Sequence, residues 1–281
     1  MFCWFSKFEM YSWPVQLPLA NLWNDFRIPV GVCIHAGANL CQERDEYRNA
    51  GFNQIIWIEA LEDIAAQAKD LLTSYKDQTV LQAVLWDTTG QEIPFHVSSN
   101  NAESSSIFDF KWHEAIHPHI SKNNQVMLKT TTLDDVIVDF FLGSLPEISL
   151  LVLDLQGAEF QALMGSKSVL KRTSAIHVEV STVELYLGQK KMNDIVSLLE
   201  NSGFTLVSHD LSKGVSSGDA LFIAKHLVGG FKCMPMPEMR RFPILSFKQV
   251  VKYSLIRMGI PARLIQRILF AIRKFMKNSG L

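Results

Sequence analysis

The chain is poor in the features that mark several large protein classes. Its 281 residues hold only four cysteines, Cys3, Cys33, Cys41 and Cys233. They are scattered, with no C-x-x-C pair and no closely spaced framework, so a disulfide-stapled secreted domain is excluded and a reducing compartment is expected. No apolar run is long enough to span a bilayer. The aromatic stretch 1–26 is broken by Lys7, Glu9, Pro14 and Pro18 and lacks the continuous apolar core of a signal peptide. A G-x-G-x-x-G turn is missing, and no Asp or Glu follows Glu238. Only 10 Pro and 15 Gly interrupt a chain that is 48% hydrophobic and 20% charged, which excludes a disordered or collagen-like polymer.

What is present is material for a large core, including 18 Phe, 6 Trp and 5 Tyr. The net charge of -1 conceals a division of sign. Ten Lys and Arg lie after Glu238 and leave 17 basic against 28 acidic residues in the rest, an acidic body with a basic tail. On a helical wheel, Leu264, Ile265, Ile268, Leu269, Ile272, Phe275 and Met276 fall in one arc of residues 263–277. Arg263, Arg267, Arg273, Lys274 and Lys277 fall opposite, with Phe270 the outlier. This is the pattern of an interfacial helix on an anionic membrane; a helix docked on the acidic body accounts for the same stripe. Positive charge is not spread over the body, so nucleic acid is not expected as a partner. The expected location is cytoplasmic, peripheral at the inner face of the membrane. Three regions follow: an aromatic extension (1–27), a central domain (28–226) and a basic, helical tail (227–281).

Within the central domain, strand and helix patterns alternate. Residues 29–34 (PVGVCI) read as a strand, followed by a tight turn and a charged helix over 42–49 that stops at Ala50-Gly51. A strand (54–58), a helix (61–75) and a third strand (79–86) come next, and 92–97 reads as a strand or hairpin arm. Residues 98–122 are polar and serine-rich, longer than a plain connection needs, and suggest an active-site loop or lid. Residues 130–142 read as a short strand entering a helix capped by Thr132. Strand 149–153 (SLLVL), a helix to about 170, strand 175–180, helix 192–202 and strand 204–208 complete the alternation. Strand 219–224 (DALFIA) leaves no room for a crossover helix and must return antiparallel. The reading is an α/β protein with a mostly parallel, doubly wound sheet closed by an antiparallel hairpin.

Ligands of such sheets sit at the carboxyl ends of the strands, which directs attention to residues 35–39, Glu59, Asp87, Asp154 with Glu159, and Glu179. Gly37 permits close approach to backbone, or simply makes the turn. Glu59 stands 22 residues after Gly37 and can accept both hydroxyls of a ribose. Asp87 can reach an adenine amino group, and an Asp before Thr-Thr-Gly is equally a turn residue. The missing second and third glycines argue against a diphosphate cradle and hence against a nicotinamide or flavin enzyme. His113, His117 and His119 with Glu114 fit no strong metal template, so no metal is assigned. Ser104, Ser105 and Ser106 could bond a polyol or merely populate a loop.

The stretches IHAGANLCQERDEY, IIWIEA, LLVLDLQGAEFQALMGS and IHVEVS together resemble the FkbM family of S-adenosylmethionine-dependent O-methyltransferases over residues 28–225. The resemblance implies a Rossmann-like class I methyltransferase fold with a seven-stranded sheet. It implies S-adenosylmethionine as cofactor and a hydroxyl acceptor on a saccharide, glycolipid or related natural product. Cofactor-turn roles fall on Gly37, Ala38 and Asn39, and the ribose acid on Glu59. His35 stands where the family usually has Asp, and Cys41 where it has a second glycine, which bears on how the methionine end is anchored. Methyl transfer to an alcohol needs alignment and removal of a proton, for which Asp154 is the first candidate and Glu159 and Glu179 the others. Glu159 also suits the first turn of a helix on electrostatic grounds alone. The second expectation is a non-catalytic, membrane-associated binding protein that has kept the fold.

Overall fold

The computed structural model describes residues 26–100, 102–111, 122–211 and 217–228. The predicted tail helix and the His113, Glu114, His117 and His119 group lie outside the described residues. The β-branched and apolar runs form a seven-stranded sheet: β1 (Val32–Ala36), β2 (Gln54–Glu59), β3 (Gln78–Gln82), β7 (Ile148–Leu153), β8 (Thr173–Ser181), β9 (Phe204–His209) and β10 (Ser217–Ala224). Their order is β3-β2-β1-β7-β8-β10-β9. All neighbours are parallel except β10, which is antiparallel to both β8 and β9. The short 210–216 connection dictates the antiparallel pairing with β9, since a parallel return needs a crossover.

Helices cover both faces, as continuous apolar strands require. Ile34, Ala36, Ile56, Leu151, Ile176 and Val178 pack under α3 (Leu133–Phe140), α4 (Glu159–Met164), α5 (Lys167–Leu170) and α6 (Met192–Asn201). On the opposite face Cys33, Ile55, Trp57, Leu150 and Val152 pack against Tyr47 of α1 (Arg44–Ala50) and against Ala65 and Ala68 of α2 (Glu62–Leu71).

Three expectations change in detail. The predicted third strand is two: β3 ends at Gln82, the Ala83 amide bonds to the Glu59 carbonyl, and β4 (Val84–Leu85) leaves the main sheet. There it pairs with β6 (Lys122–Thr131), which also pairs antiparallel with β5 (Glu92–Ser98) in a small three-stranded sheet. β6 is longer than the short strand expected, because residues 124–127 are exposed on both faces and no alternation of apolar and polar residues marks them. The predicted helix to residue 170 breaks after Met164, where a Cβ on Gly165 would meet the Trp86 carbonyl oxygen at 2.3 Å. Part of the serine-rich loop is ordered against the sheet, with His96 and Ser106 exchanging both backbone hydrogen bonds.

Thr132 caps α3 as expected, its hydroxyl accepting from the Asp135 amide at 3.0 Å. Thr132→Ala is expected to cost about 1 kcal/mol in urea unfolding. An unchanged midpoint would show that the capping bond contributes nothing net.

Candidate active site

The site begins where β1 and β7 end side by side. The Asp154 amide donates to the Ala36 carbonyl at 3.0 Å, continuing the pairing one residue past the strands. Gly37 has φ +91, and a Cβ there would lie 1.8 Å from the Asp154 carbonyl oxygen. Its bare backbone therefore admits the neighbouring chain, where the sequence suggested approach by a ligand. The Gly37 and Ala38 amides both donate to the Ile58 carbonyl, at 2.9 and 3.0 Å. Asn39, in the left-handed region at φ 43, donates its amide to Glu59 Oε2 at 2.9 Å, and Leu61 donates to Glu59 Oε1 at 2.9 Å. Glu59 thus ties the first turn to the end of β2. Burial pushes its carboxyl above the usual range, opposed by the amides it accepts. Each oxygen keeps a lone pair for a further donor.

These ends enclose a cavity of about 420 Å³. One side is Gly37, Asn39, Gln42, Glu43 and Glu59; the apolar wall is Ile58, Val84, Leu85, Phe95 and Ile107; Asp154 and Gln156 stand on the remaining side. The small sheet contributes Phe95, and it packs with Val84, Leu61 and Ile64 in a cluster of its own.

Three carboxyl groups meet beside the cavity. Asp154, Glu159 and Glu179 bring oxygens within 4.8 Å of one another. Glu159 is buried and accepts from the amides of Leu155 at 2.8 Å and Gly157 at 3.0 Å, so it holds the turn rather than lining the cavity. Burial raises its pKa to about 7. The Gln156 side-chain amide donates to Asp154 Oδ1 at 2.6 Å and to Glu179 Oε2 at 3.3 Å. Burial and the charges of Asp154, Glu159 and Asp219 hold the Glu179 carboxyl well above its ordinary value. Asp154 is raised less, because the Gln156 amide favours its charged form. The two acids are thus held differently: the Gln156 amide favours the charged form of Asp154, while the neighbouring charges favour the protonated form of Glu179. A cation shared by the three would have to displace the Gln156 amide.

His35, in the position where an acid was expected, lines the cavity from beneath. It lies 4.9 Å from the Trp57 ring, and its Nδ1 is 3.0 Å from the Tyr47 hydroxyl. Burial lowers its pKa to about 3, so it stays neutral. Two predicted cofactor residues do not face the cavity. Ala38 packs in the core under the turn, and Asp87 is exposed after β4, accepting from the Thr88 hydroxyl. The split of the third strand is the reason: Val84 and Leu85 occupy the position at the cavity that was assigned to Asp87. Ser104 and Ser105 reach the cavity, and Ser98, Asn100, Ser104 and Ser105 bond to one another. Sequence reasoning missed Glu43, Gln156, Tyr186 and Asp219. Only Gln156 carried a signal, as the interior of the D-x-x-G-A-E run.

The residues fit S-adenosylmethionine better than a dinucleotide. A diphosphate needs free amides, and those of residues 37–41 are committed to Ile58, Glu59, Asn39 and Ala38. An apolar wall suits an adenine, Glu59 a ribose, and the carboxylates of Glu43 and Asp154 a positively charged methyl donor.

This is the layout of a methyltransferase of the nucleotide-binding α/β class. Residues 30–206 match the methyltransferase FkbM domain, and the chain belongs to that family. A curated relative, the 2-O-methyltransferase NoeI of Sinorhizobium fredii, is 29% identical over 163 residues, which are 56% of this chain and 64% of that protein. The chain thus spans less than two thirds of that relative's length. Solved structures with a similar course include a methyltransferase FkbM from Methylobacillus flagellatus (11% identity, 74% of this chain and 48% of that one, TM-score 0.45). Another is a magnesium protoporphyrin IX methyltransferase from Synechocystis with bound SAM (12% identity, 73% and 76%, TM-score 0.41).

The neutral, buried His35 has a consequence for stability. Its folded pKa lies below the value of about 6.5 for a free imidazole, so only the unfolded chain takes the proton as pH falls below that value. Stability contributed by neutral His35 is therefore complete at pH 7 and is lost on acidification towards pH 3. His35→Gln is expected to reduce the loss in unfolding free energy between pH 7 and pH 5 by about 2 kcal/mol. Equal losses in both proteins would contradict a neutral His35.

Proposed function

We propose that the protein is an S-adenosylmethionine-dependent O-methyltransferase acting on a hydroxyl of a saccharide, glycolipid or related natural product. One observation carries the reading: a single cavity has the Glu59-clamped turn on one side and Asp154, whose carboxyl accepts the Gln156 amide, on the other. Family membership and the 2-O-methyltransferase relative support transfer to oxygen. When bound, the cofactor supplies an electrophilic methyl group on a sulfonium. Glu59 holds the ribose, and Val84, Leu85 and Phe95 exclude water from the adenine. Asp154 orients the acceptor hydroxyl and takes its proton as the oxygen forms its new bond to the methyl carbon. The electron pair of the broken carbon–sulfur bond stays on sulfur, so the products are a methyl ether and a neutral thioether. Glu179 contributes by keeping its own proton, which leaves one negative charge rather than two against the acceptor. The negative surroundings favour a neutral acceptor over an anionic one.

The basic arc of residues 263–277 supports a peripheral position on an anionic, cytoplasm-facing membrane, with the acceptor presented there. A second reading, a non-catalytic binding protein, is favoured by one observation: His35 is neutral where the family has an acid.

The test is transfer of labelled methyl from S-adenosylmethionine to a panel of neutral mono- and oligosaccharides and glycolipids. Labelled methyl ether is expected, and Asp154→Asn is expected to slow its formation by about 100-fold with S-adenosylhomocysteine affinity kept within threefold. Cofactor binding without transfer to any acceptor favours the second reading. Unimpaired transfer by Asp154→Asn removes Asp154 from the proton step.

A further inference from the structure

The mechanism leaves one set of contacts unexplained. Gln156 has φ 52, an unusual conformation for a side-chain-bearing residue, and it precedes Gly157 at φ 105. Its Oε1 accepts the Tyr186 hydroxyl at 2.6 Å, which leaves its amide facing the two carboxyls. Tyr186 is itself buried and packs on Gly157, where a Cβ would lie 3.1 Å from the Tyr186 ring. The Gln156 carbonyl accepts the Ser106 hydroxyl at 2.7 Å. Residues on either side of these contacts are zipped together. Lys111 donates its amide to the Leu185 carbonyl at 2.9 Å, Leu187 donates to Asp109 at 2.8 Å, and the Lys111 ammonium pairs with Glu184. The 106–111 and 184–189 segments thus form one strap, and Tyr186 descends from it to Gln156.

We propose that Gln156 is a positioning residue: the Tyr186 hydroxyl anchors the oxygen end of its side-chain amide, and the nitrogen end holds the Asp154 and Glu179 carboxyls in the arrangement that aims Asp154 at the acceptor. The inference rests on the reading of Asp154 as the proton acceptor. Orientation is the core of the argument. An amide has a donor end and an acceptor end, and only a donor can lie between two carboxyls without repelling the ionised one. The acceptor-only Asp154 carboxylate therefore takes the nitrogen end, which leaves Oε1 to the Tyr186 hydroxyl, and that second bond anchors the side chain in this orientation. The bond to an ionised Asp154 is charge-assisted, and the bond to the Tyr186 hydroxyl lies partly out of water. The strap transmits its seating to the acids through this single side chain. Other titratable groups also bear on Asp154: Glu43 ahead of α1, Tyr47 on α1, Glu159 on α4, Glu179 on β8, Tyr186 on the strap and Asp219 on β10. They stay in place in the variants below, apart from the one hydroxyl removed by design.

The experiment compares the full chain with Gln156→Leu and Tyr186→Phe, using carbon-13 resonances of the Asp and Glu carboxyls followed against pH, with S-adenosylhomocysteine affinity and thermal midpoint measured alongside. Loss of the amide donor is expected to move the lower midpoint of the Asp154–Glu179 pair up by about one pH unit in Gln156→Leu. A smaller rise is expected in Tyr186→Phe, with homocysteine-ligand affinity within threefold of the parent. Identical midpoints in all three proteins would overturn the proposal. If Gln156→Leu does not fold, Tyr186→Phe decides alone, because it keeps the ring on Gly157 and removes only the hydroxyl. Failure of the parent to bind S-adenosylhomocysteine would count against the cofactor assignment, while the midpoints still decide the role of Gln156.

Discussion

The site depends on one close approach: the carbonyl of Asp154 occupies the space that a side chain at position 37 would need. Because Gly37 has none, the ends of β1 and β7 remain paired one residue beyond the strands, through the Asp154 amide and the Ala36 carbonyl. That contact fixes the distance between the two halves of the chemistry. The turn that Glu59 clamps lies on one side, and the carboxylate that can take a proton lies on the other. A larger residue at position 37 would force the two strands apart at the place where donor and acceptor must meet.

The electrostatics follow from the same convergence. Burial raises all three acids; nearby acidic charge adds to this at Glu159 and Glu179, while hydrogen bonds from Gln156 and Glu179 oppose it at Asp154. Glu159 is withdrawn from this competition by two backbone amides. His35 is a neutral ring tilted against Trp57 and bonded to Tyr47, so it adds no counter-charge. The negative charge at the cavity comes from carboxyl groups that include Glu43, which the sequence reading did not single out.

Much of the fold is legible in the sequence because the signals are local. The apolar strands β1, β2, β7 and β8 fall between turn signals, Thr132 precedes α3, and the short link before β10 permits only an antiparallel return. What escapes is decided by contacts between distant segments. Nothing in the run from Thr79 to Trp86 indicates that β4 will abandon the sheet to pair with β6, and that departure removes Asp87 from the cavity. Gly165 looks like any helix glycine until the Trp86 carbonyl is placed against it. Motifs point to Asp154, Glu59 and Glu159, of which the first two line the cavity and the third holds the adjoining turn. Tyr186 and Asp219 reach it from strands and loops with no motif of their own, and Gln156 had meaning only once its partners were known.

The measurement that bears most directly on this account is a crystal structure of the protein with S-adenosylhomocysteine. The account predicts the ribose hydroxyls on the Glu59 carboxylate, the adenine against Val84, Leu85 and Phe95, and the sulfur on the Asp154 side of the cavity. A ligand bound elsewhere, or a cavity closed to it while the protein remains folded, would contradict it.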